Sequence, residues 1–216
     1  MITLHDYILS SDGYKVRLLL RMLERPFQTV KVDVHPGREQ QGSAFLAINP
    51  LGTLPVLEED GLRVWDAQAI LSYLALRHDP ERRWLPADPA LAAQVAMWLA
   101  FAGRELGAPS RLRMAAITAE QLPGRAVLEQ TSLRAFDILD DHLAERAMEG
   151  TQWLVGDAPT IADIAAFPPV ALAADADLPL EGRPALWRWM GAVKRLPRFS
   201  VMPGVLPVDL AEALAG

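Results

Sequence analysis

The alternation of apolar and polar residues predicts strands and helices in the first third of the chain. Ile2 and Leu4 alternate with polar neighbours as in a short strand, and residues 29–34 (TVKVDV) alternate in the same way with β-branched residues. Between them, residues 13–24 carry apolar positions at helical spacing, with Asp12 as the expected N-cap. This order predicts a β-α-β unit with a parallel strand pair and a right-handed crossover.

A hairpin and a helix are predicted next. Residues 56–57 and 62–65 flank a segment that ends in Asp60-Gly61, a dipeptide typical of a β-hairpin turn. A helix is expected from about Ala67 to Arg77. Because the hairpin adds antiparallel strands, the predicted sheet is mixed. We expect residues 1–77 to form a small α/β domain.

The rest of the chain shows only helical patterns. Residues 78–89 are rich in proline and charge and are interpreted as a linker. Beyond them, apolar residues recur at helical spacing in three stripes, and Thr160-Ile161-Ala162-Asp163 has the form of a capping box. We therefore predict an all-helical C-terminal domain over residues 90–216.

The composition excludes several kinds of chemical site but says little about the fold. The 216 residues include no cysteine, which excludes disulfides, Cys-ligated metal sites and a cysteine nucleophile. Any thiol chemistry must therefore use a thiol from outside the chain. The formal net charge of −6 argues against nucleic-acid binding. No segment has the length of a membrane span, and the first residues lack the pattern of a secretion signal, so a cytoplasmic protein is expected.

A few positions could bind a ligand. Ser10 and Ser11 lie between the first strand and the first helix, where they could bind an anion or simply cap the helix. Pro55 starts a strand, where a cis peptide bond would expose the preceding backbone, although trans is the commoner case. Asp66 could cap the next helix or bind an ammonium. Arginines such as Arg113 are interpreted as solvated or paired charges. No His, Asp or Glu cluster has metal-ligand spacing, so no metal is predicted.

Four segments together resemble the cytosolic glutathione transferases, in a serine-using bacterial form related to the theta and zeta classes. They are residues 10–18 (SSDGYKVRL), 49–57 (NPLGTLPVL), 65–71 (WDAQAIL) and 156–163 (GDAPTIAD). The resemblance covers nearly the whole chain. It implies a thioredoxin-like α/β N-terminal domain joined to the all-α domain, usually in a homodimer. It also implies a detoxifying enzyme that activates the thiolate of glutathione, its co-substrate, for attack on a small electrophile.

The same resemblance implies roles for individual residues. Ser10 would donate a hydrogen bond to the glutathione sulfur, with Tyr7 as the rival residue for this contact. Pro55 would be cis, and the backbone of Leu54 would pair with the cysteinyl unit of glutathione. The γ-glutamyl end would face Asp66 and the N–H of Ala67, and the glycyl carboxylate would face Gln40 or Gln41. Ser11 and Val56 complete the expected glutathione contacts. A second-substrate pocket between the domains is expected from Phe101, Arg104, Pro109 and Arg111.

Two departures from the family pattern affect these expectations. Ala67 stands where relatives commonly carry serine, so a hydroxyl contact to the γ-glutamyl carboxylate is lost, which would weaken binding by roughly 1.5–3 kcal/mol. Gly13 stands where relatives carry cysteine or serine, and we expect it to open space beside the sulfur and to disfavour an isomerase of the maleylacetoacetate type. Ala67 leaves an alternative open, namely a glutathione-binding or regulatory protein with little or no catalysis.

Overall fold

The first part of the molecule is built on a four-stranded mixed sheet. The computed structural model describes residues 1–205. Its strands are β1 (Ile2–Asp6), β2 (Phe27–Lys31), β3 (Val56–Glu59) and β4 (Leu62–Trp65), in the order β2-β1-β3-β4. Strand β2 runs parallel to β1, whereas β3 is antiparallel to both β1 and β4. The predicted mixed sheet is confirmed, although β2 begins and ends earlier than expected because its pairing with β1 runs from Phe27 to Lys31.

Three helices accompany this sheet: α1 (Ser11–Met22), the short α2 (Ser43–Leu46) and α3 (Ala67–His78). A single turn of 3-10 helix over Glu39–Gln41 precedes α2. Helix α3 follows the expected span, whereas α1 lies two residues earlier than expected, and the expectation that Asp12 caps α1 was wrong. Ser10 is the N-cap, because its hydroxyl oxygen accepts the N–H of Gly13, whereas Asp12 lies in the first turn and pairs with Lys15.

All regular structure between residues 79 and 205 is helical. The helices are α4 (Pro89–Arg104), α5 (Gly107–Thr118), α6 (Arg125–Met148), α7 (Ile161–Ala171) and α8 (Pro184–Lys194), with a 3-10 turn at Ala173–Ala176. Within residues 1–205, no helix is long and apolar enough to cross a membrane. The end of the expected helical domain, residues 206–216, lies outside the described part of the chain.

Helix α7 lies at the centre of the apolar core and joins the two parts of the chain. It packs against α4 in the helical part and against α1 and α3 beside the sheet. The capping box predicted at Thr160 and Asp163 is present at its N-terminus. The fully buried Asp163 carboxylate also accepts the indole N–H of Trp189 at 2.9 Å and the N–H of Leu154 at 3.1 Å. Helix α1, whose N-terminus carries Ser10, is therefore fixed against the helical part.

Candidate active site

Ser10 lies at the junction of β1 and α1, where the carboxyl end of a parallel strand meets a helix N-terminus. Its Oγ accepts the N–H of Gly13 at 3.0 Å, and its own N–H donates to the carbonyl of Tyr7 at 2.8 Å. The backbone of Ser10 is extended, with φ −70° and ψ 121°, as is usual for an N-cap. Because Oγ is used here as an acceptor, the hydroxyl proton remains available to donate to a ligand.

The loop that precedes β3 lies beside this junction, at the same edge of the sheet. The Leu54–Pro55 peptide bond is cis, as the resemblance implied. The loop is organised by Asn49, which is fully buried. Its amide nitrogen donates to the carbonyl of Thr53 at 2.8 Å, and its amide oxygen accepts the N–H of Leu51 at 3.0 Å. Leu54, in front of the cis bond, is only half-buried.

Asp66 forms the third part of this edge, between β4 and α3. Its Oδ1 caps α3 by accepting the N–H groups of Gln68 at 2.9 Å and Ala69 at 3.0 Å. With the Gln68 amide turned so that its nitrogen and its oxygen both have hydrogen-bond partners, the nitrogen donates to this Asp66 oxygen at 3.0 Å. The amide oxygen then accepts the N–H of Gly103 in α4 at 3.0 Å. The Asp66 carboxylate is exposed, and its backbone has a φ of +78°, a rare conformation for a residue with a side chain.

A serine at a helix start, a cis-proline loop and a capping aspartate thus lie along one edge of a thioredoxin-like sheet. The family model for the glutathione S-transferase N-terminal domain matches residues 1–76, and the model for the corresponding C-terminal domain matches residues 123–192. The chain is 30% identical to glutathione S-transferase GstB of Escherichia coli, over 91% of this chain and 95% of GstB. The chain belongs to the glutathione S-transferase family.

Other relatives and solved structures agree with this assignment. The chain is 33% identical to maleylacetoacetate isomerase of Rhizobium meliloti, over 85% of this chain and 86% of that protein. A glutathione S-transferase from Pseudomonas fluorescens superposes with a TM-score of 0.82 at 31% identity, covering 93% of this chain and 98% of that chain. A transferase homologue from Lodderomyces elongisporus, whose crystal structure has two GSH per subunit, gives a TM-score of 0.82 at 25% identity, with coverages of 91% and 94%. The predicted family, fold and transferase function are confirmed.

Gly13 does not have the role in this transferase that its sequence position suggested. We expected it to open space beside the sulfur, but the carboxylate of Asp6 fills that space. A Cβ at position 13 would overlap Asp6 Oδ1 and lie only 2.8 Å from Asp6 Cγ. Asp6 is 2% exposed and pairs with Arg17, while its Oδ1 has no hydrogen-bond partner among the described residues. Burial raises the pKa of Asp6, although Arg17 opposes this shift.

The two other predicted residues near Ser10 face in different directions. Ser11 is buried in the first turn of α1, and its hydroxyl donates to Ser110 Oγ of α5 at 2.9 Å. Tyr7 is half-buried and lines a cavity of about 600 Å³ at the carboxyl ends of β1 and β2, together with residues such as Arg17 and Lys31. Its backbone carbonyl, rather than its phenol, is in contact with Ser10. The choice between Ser10 and Tyr7 as the sulfur contact stays a prediction.

The residues expected at the glycyl end of glutathione differ in exposure. Gln40 is half-buried, and its side-chain oxygen has no hydrogen-bond partner among the described residues, whereas Gln41 is exposed. The backbone carbonyl of Gln40 would lie 2.9 Å from a Cβ at Gly52, so Gln40 borders the loop that contains Pro55. This contact favours Gln40 over Gln41 as a neighbour of the site. Val56 is buried in β3, and Ala67 is buried at the start of α3.

The residues expected to bind the second substrate lie on two helices and not on one continuous helix. Phe101 is half-buried in α4 and packs edge-on against Trp98 at 5.2 Å between ring centroids. Arg104 ends α4 and is exposed. Pro109 is buried in the first turn of α5, and Arg111 is exposed on the same helix. Helices α4 and α5 reach the site edge at Gly103 and Ser110, which contact Gln68 and Ser11 respectively.

The sequence did not show that three residues organise this edge. Asn49 holds the cis-proline loop, and its place directly before a proline in a turn-rich segment is the signal that could have found it. Gln68 links Asp66 to α4, and Arg113 bonds to the carbonyl of Leu9, but neither has a local sequence signal because its partner is distant in the chain. Within residues 1–205, no group of three or more metal-ligating side chains is close enough to hold a metal ion.

Proposed function

We propose that this glutathione S-transferase ionises the thiol of glutathione at Ser10 and that the resulting thiolate attacks a small electrophile. One observation carries the proposal: Ser10 Oγ already accepts the N–H of Gly13, so its proton is free to donate outward. The N-terminus of α1 adds partial positive charge at the same point. Both favour a thiolate over a thiol, whose pKa when free is about 8.5. Each unit by which the pKa falls corresponds to about 1.4 kcal/mol of thiolate stabilisation.

Glutathione would extend along the edge from Gln40 to Asp66. The γ-glutamyl ammonium would pair with the Asp66 carboxylate, whose hydrogen bonds within residues 1–205 all use Oδ1 and leave Oδ2 for a ligand. The γ-glutamyl carboxylate would accept the N–H of Ala67 at the start of α3. The cysteinyl backbone would pair with Leu54 in front of the cis bond. The glycyl carboxylate would accept from the amide of Gln40.

The proposal includes the surroundings of the site. The second substrate would enter between the sheet part and α4–α5, near Phe101, Arg104, Pro109 and Arg111, and no nucleic acid or membrane takes part. We also propose that residues 1–77 and residues 90–216 form two domains joined by a linker over residues 78–89, and that the protein is cytoplasmic.

A homodimer is proposed because apolar side chains are exposed on β4, α3 and α4, namely Leu62, Trp65, Leu76 and Met97. Light scattering after size exclusion would test it, and a monomer at micromolar concentration would contradict it.

The role of Ser10 is tested by turnover of a chloronitrobenzene with glutathione in Ser10→Ala and Tyr7→Phe variants. Removing one preorganised donor typically lowers kcat by about 100-fold or more in enzymes, and we expect a loss toward the lower end of that range for Ser10→Ala. The ultraviolet absorbance of bound thiolate, followed against pH, should show a higher thiol pKa in the same variant. Full activity in Ser10→Ala together with an inactive Tyr7→Phe would transfer the role to Tyr7.

The alternative of a binding or regulatory protein receives no support from the relatives, which carry the names of glutathione transferases and of an isomerase. Ala67 still retains a backbone N–H for the γ-glutamyl carboxylate, so the lost serine hydroxyl weakens one contact and does not remove the subsite. Turnover across a panel of electrophiles decides between the two functions, and consistent absence of turnover would favour the alternative.

A further inference from the structure

Arg113 of α5 connects the helical part of the molecule to the loop that carries Ser10. Its side chain is 3% exposed and hydrogen-bonds to three separate segments. One amino group donates to the carbonyl of Leu9, Nε donates to the Asp175 carboxylate at 2.8 Å, and the other amino group donates to the carbonyl of Pro203 at 3.4 Å. A buried guanidinium with three acceptors is firmly oriented, because its planar fork fixes the direction of every donor.

The contact to Leu9 bears directly on Ser10, because the carbonyl of Leu9 and the N–H of Ser10 belong to one planar peptide unit. The carbonyl end of this unit is held by Arg113, and the N–H end donates to the carbonyl of Tyr7 at 2.8 Å. Within residues 1–205, Arg113 is the only group of the helical part that hydrogen-bonds to Leu9 or Ser10. The orientation of the peptide that precedes Ser10 therefore depends on a residue more than a hundred positions away.

The C-terminal segment strengthens this connection at a second point. The phenol of Tyr14, on the first turns of α1, donates to the carbonyl of Ser200 at 2.6 Å, close in sequence to the Pro203 carbonyl that Arg113 contacts. The other charged groups at this end of α1 are paired among themselves, Asp6 with Arg17 and Asp12 with Lys15. The charge of Arg113 is matched by Asp175, so its effect on Ser10 is mainly one of orientation.

We infer that Arg113 is a positioning residue for the Ser10 hydroxyl, acting through the Leu9 carbonyl. This inference rests on the proposed role of Ser10 in ionising glutathione. Loss of the guanidinium frees the Leu9–Ser10 peptide to rotate and moves the hydroxyl away from the sulfur. Misplacement of a catalytic group by about 1 Å can cost up to about 100-fold in rate, and a partial loss of restraint should cost about tenfold.

The experiment compares Arg113→Gln with a matched control, Arg183→Gln. Arg183 is also a largely buried arginine of the helical part that bridges a carboxylate, Asp137, and a backbone carbonyl, Pro179, but it has no contact with Leu9 or Ser10. We expect Arg113→Gln to lower kcat by about tenfold and to raise the pKa of the bound glutathione thiol by roughly 0.5–1 unit. Arg183→Gln should lower only the melting temperature.

The Ser10→Ala background separates this inference from the proposed function. If the Ser10 hydroxyl donates the hydrogen bond to the glutathione sulfur and Arg113 acts through Ser10, Arg113→Gln should add little to the loss already caused by Ser10→Ala. Normal thiol ionisation in Ser10→Ala alone would overturn the role of Ser10, whatever Arg113 does. An effect of Ser10→Ala together with wild-type kcat and thiol pKa in Arg113→Gln would overturn the inference about Arg113. If Arg113→Gln does not fold, Arg113→Lys takes its place, and wild-type kcat and thiol pKa in that variant would overturn the inference equally.

Discussion

Replacement of Gly13 by alanine tests the close contact between Asp6 and the first turn of α1. The new methyl group would overlap Asp6 Oδ1 and lie 2.8 Å from Asp6 Cγ and 3.2 Å from Arg17 Nη1. Since Asp6 is buried and ion-paired, its carboxylate can move only by weakening the contact with Arg17. Overpacking of this kind costs about 1–3 kcal/mol, and the higher helix propensity of alanine returns up to about 1 kcal/mol.

The net expectation for Gly13→Ala is a loss of about 2 kcal/mol in the free energy of unfolding, because breaking one side of a buried ion pair adds to the overlap. For a chain of this size the loss corresponds to a melting temperature lower by about 4–8 °C. Chemical denaturation followed by circular dichroism measures the free energy, and calorimetry measures the melting temperature.

Gly107→Ala is the matched control for this prediction. Gly107 is also helical, in the first turn of α5, and within residues 1–205 no atom beyond its chain neighbours and its own helix backbone lies within 4 Å of the place its Cβ would take. We expect the control to raise stability by up to about 1 kcal/mol, from the helix propensity of alanine alone, and not to lower it. A double variant, Asp6→Ala with Gly13→Ala, should show a coupling of more than about 1 kcal/mol, because the overlap disappears with the carboxylate. A Gly13→Ala variant as stable as the wild type would refute the contact with Asp6.

Two further predictions concern acidic side chains. Asp66→Asn keeps an oxygen that can cap α3, so we expect little change in melting temperature. Because it loses the charge that would pair with the γ-glutamyl ammonium, we expect KM for glutathione to rise by at least about tenfold. An unchanged KM would contradict the γ-glutamyl role of Asp66. Burial raises the pKa of Glu59, but hydrogen bonds from His78 and Tyr73 outweigh it and hold the pKa below the usual 4.5. Because the pKa of Glu59 is lower in the folded than in the unfolded state, its ionised carboxylate stabilises the fold at pH values above the unfolded pKa. This stabilisation is lost as the pH falls, so the difference in unfolding free energy between wild type and Glu59→Gln should shrink below about pH 4.5 in urea titrations. A gap independent of pH would count against this reasoning.

Local patterns were sufficient to predict most of the secondary structure. Alternation and helical spacing identified the four strands and the helix after β4, because each depends on residues close in sequence. The capping box at Thr160 was predicted for the same reason, since both partners lie within one helical turn. The cap of α1 was assigned to Asp12 and not to Ser10, because several capping residues follow one another there and only the path of the chain selects among them.

The candidate site was predicted in part. Ser10, Pro55 and Asp66 each stand at the start of a helix or strand, so their positions follow from the order of elements along the chain. Because the chain has no cysteine, any thiol chemistry had to use a thiol from outside the molecule, and membership of the glutathione S-transferase family agrees with this condition. Gly13 was misinterpreted because the atom that fills its neighbourhood comes from β1 and not from an adjacent residue.

The sequence by itself therefore determined most of the elements and the family, and it predicted the positions at which a borrowed thiol would bind. Only the tertiary structure decided which groups hold those positions in place. Arg113 contacts a loop more than a hundred residues earlier, and Gln68 bridges Asp66 to Gly103 of α4. Such contacts have no signal in the local pattern, because they depend on how helices from distant parts of the chain pack around α7 and bring buried polar groups within hydrogen-bond distance.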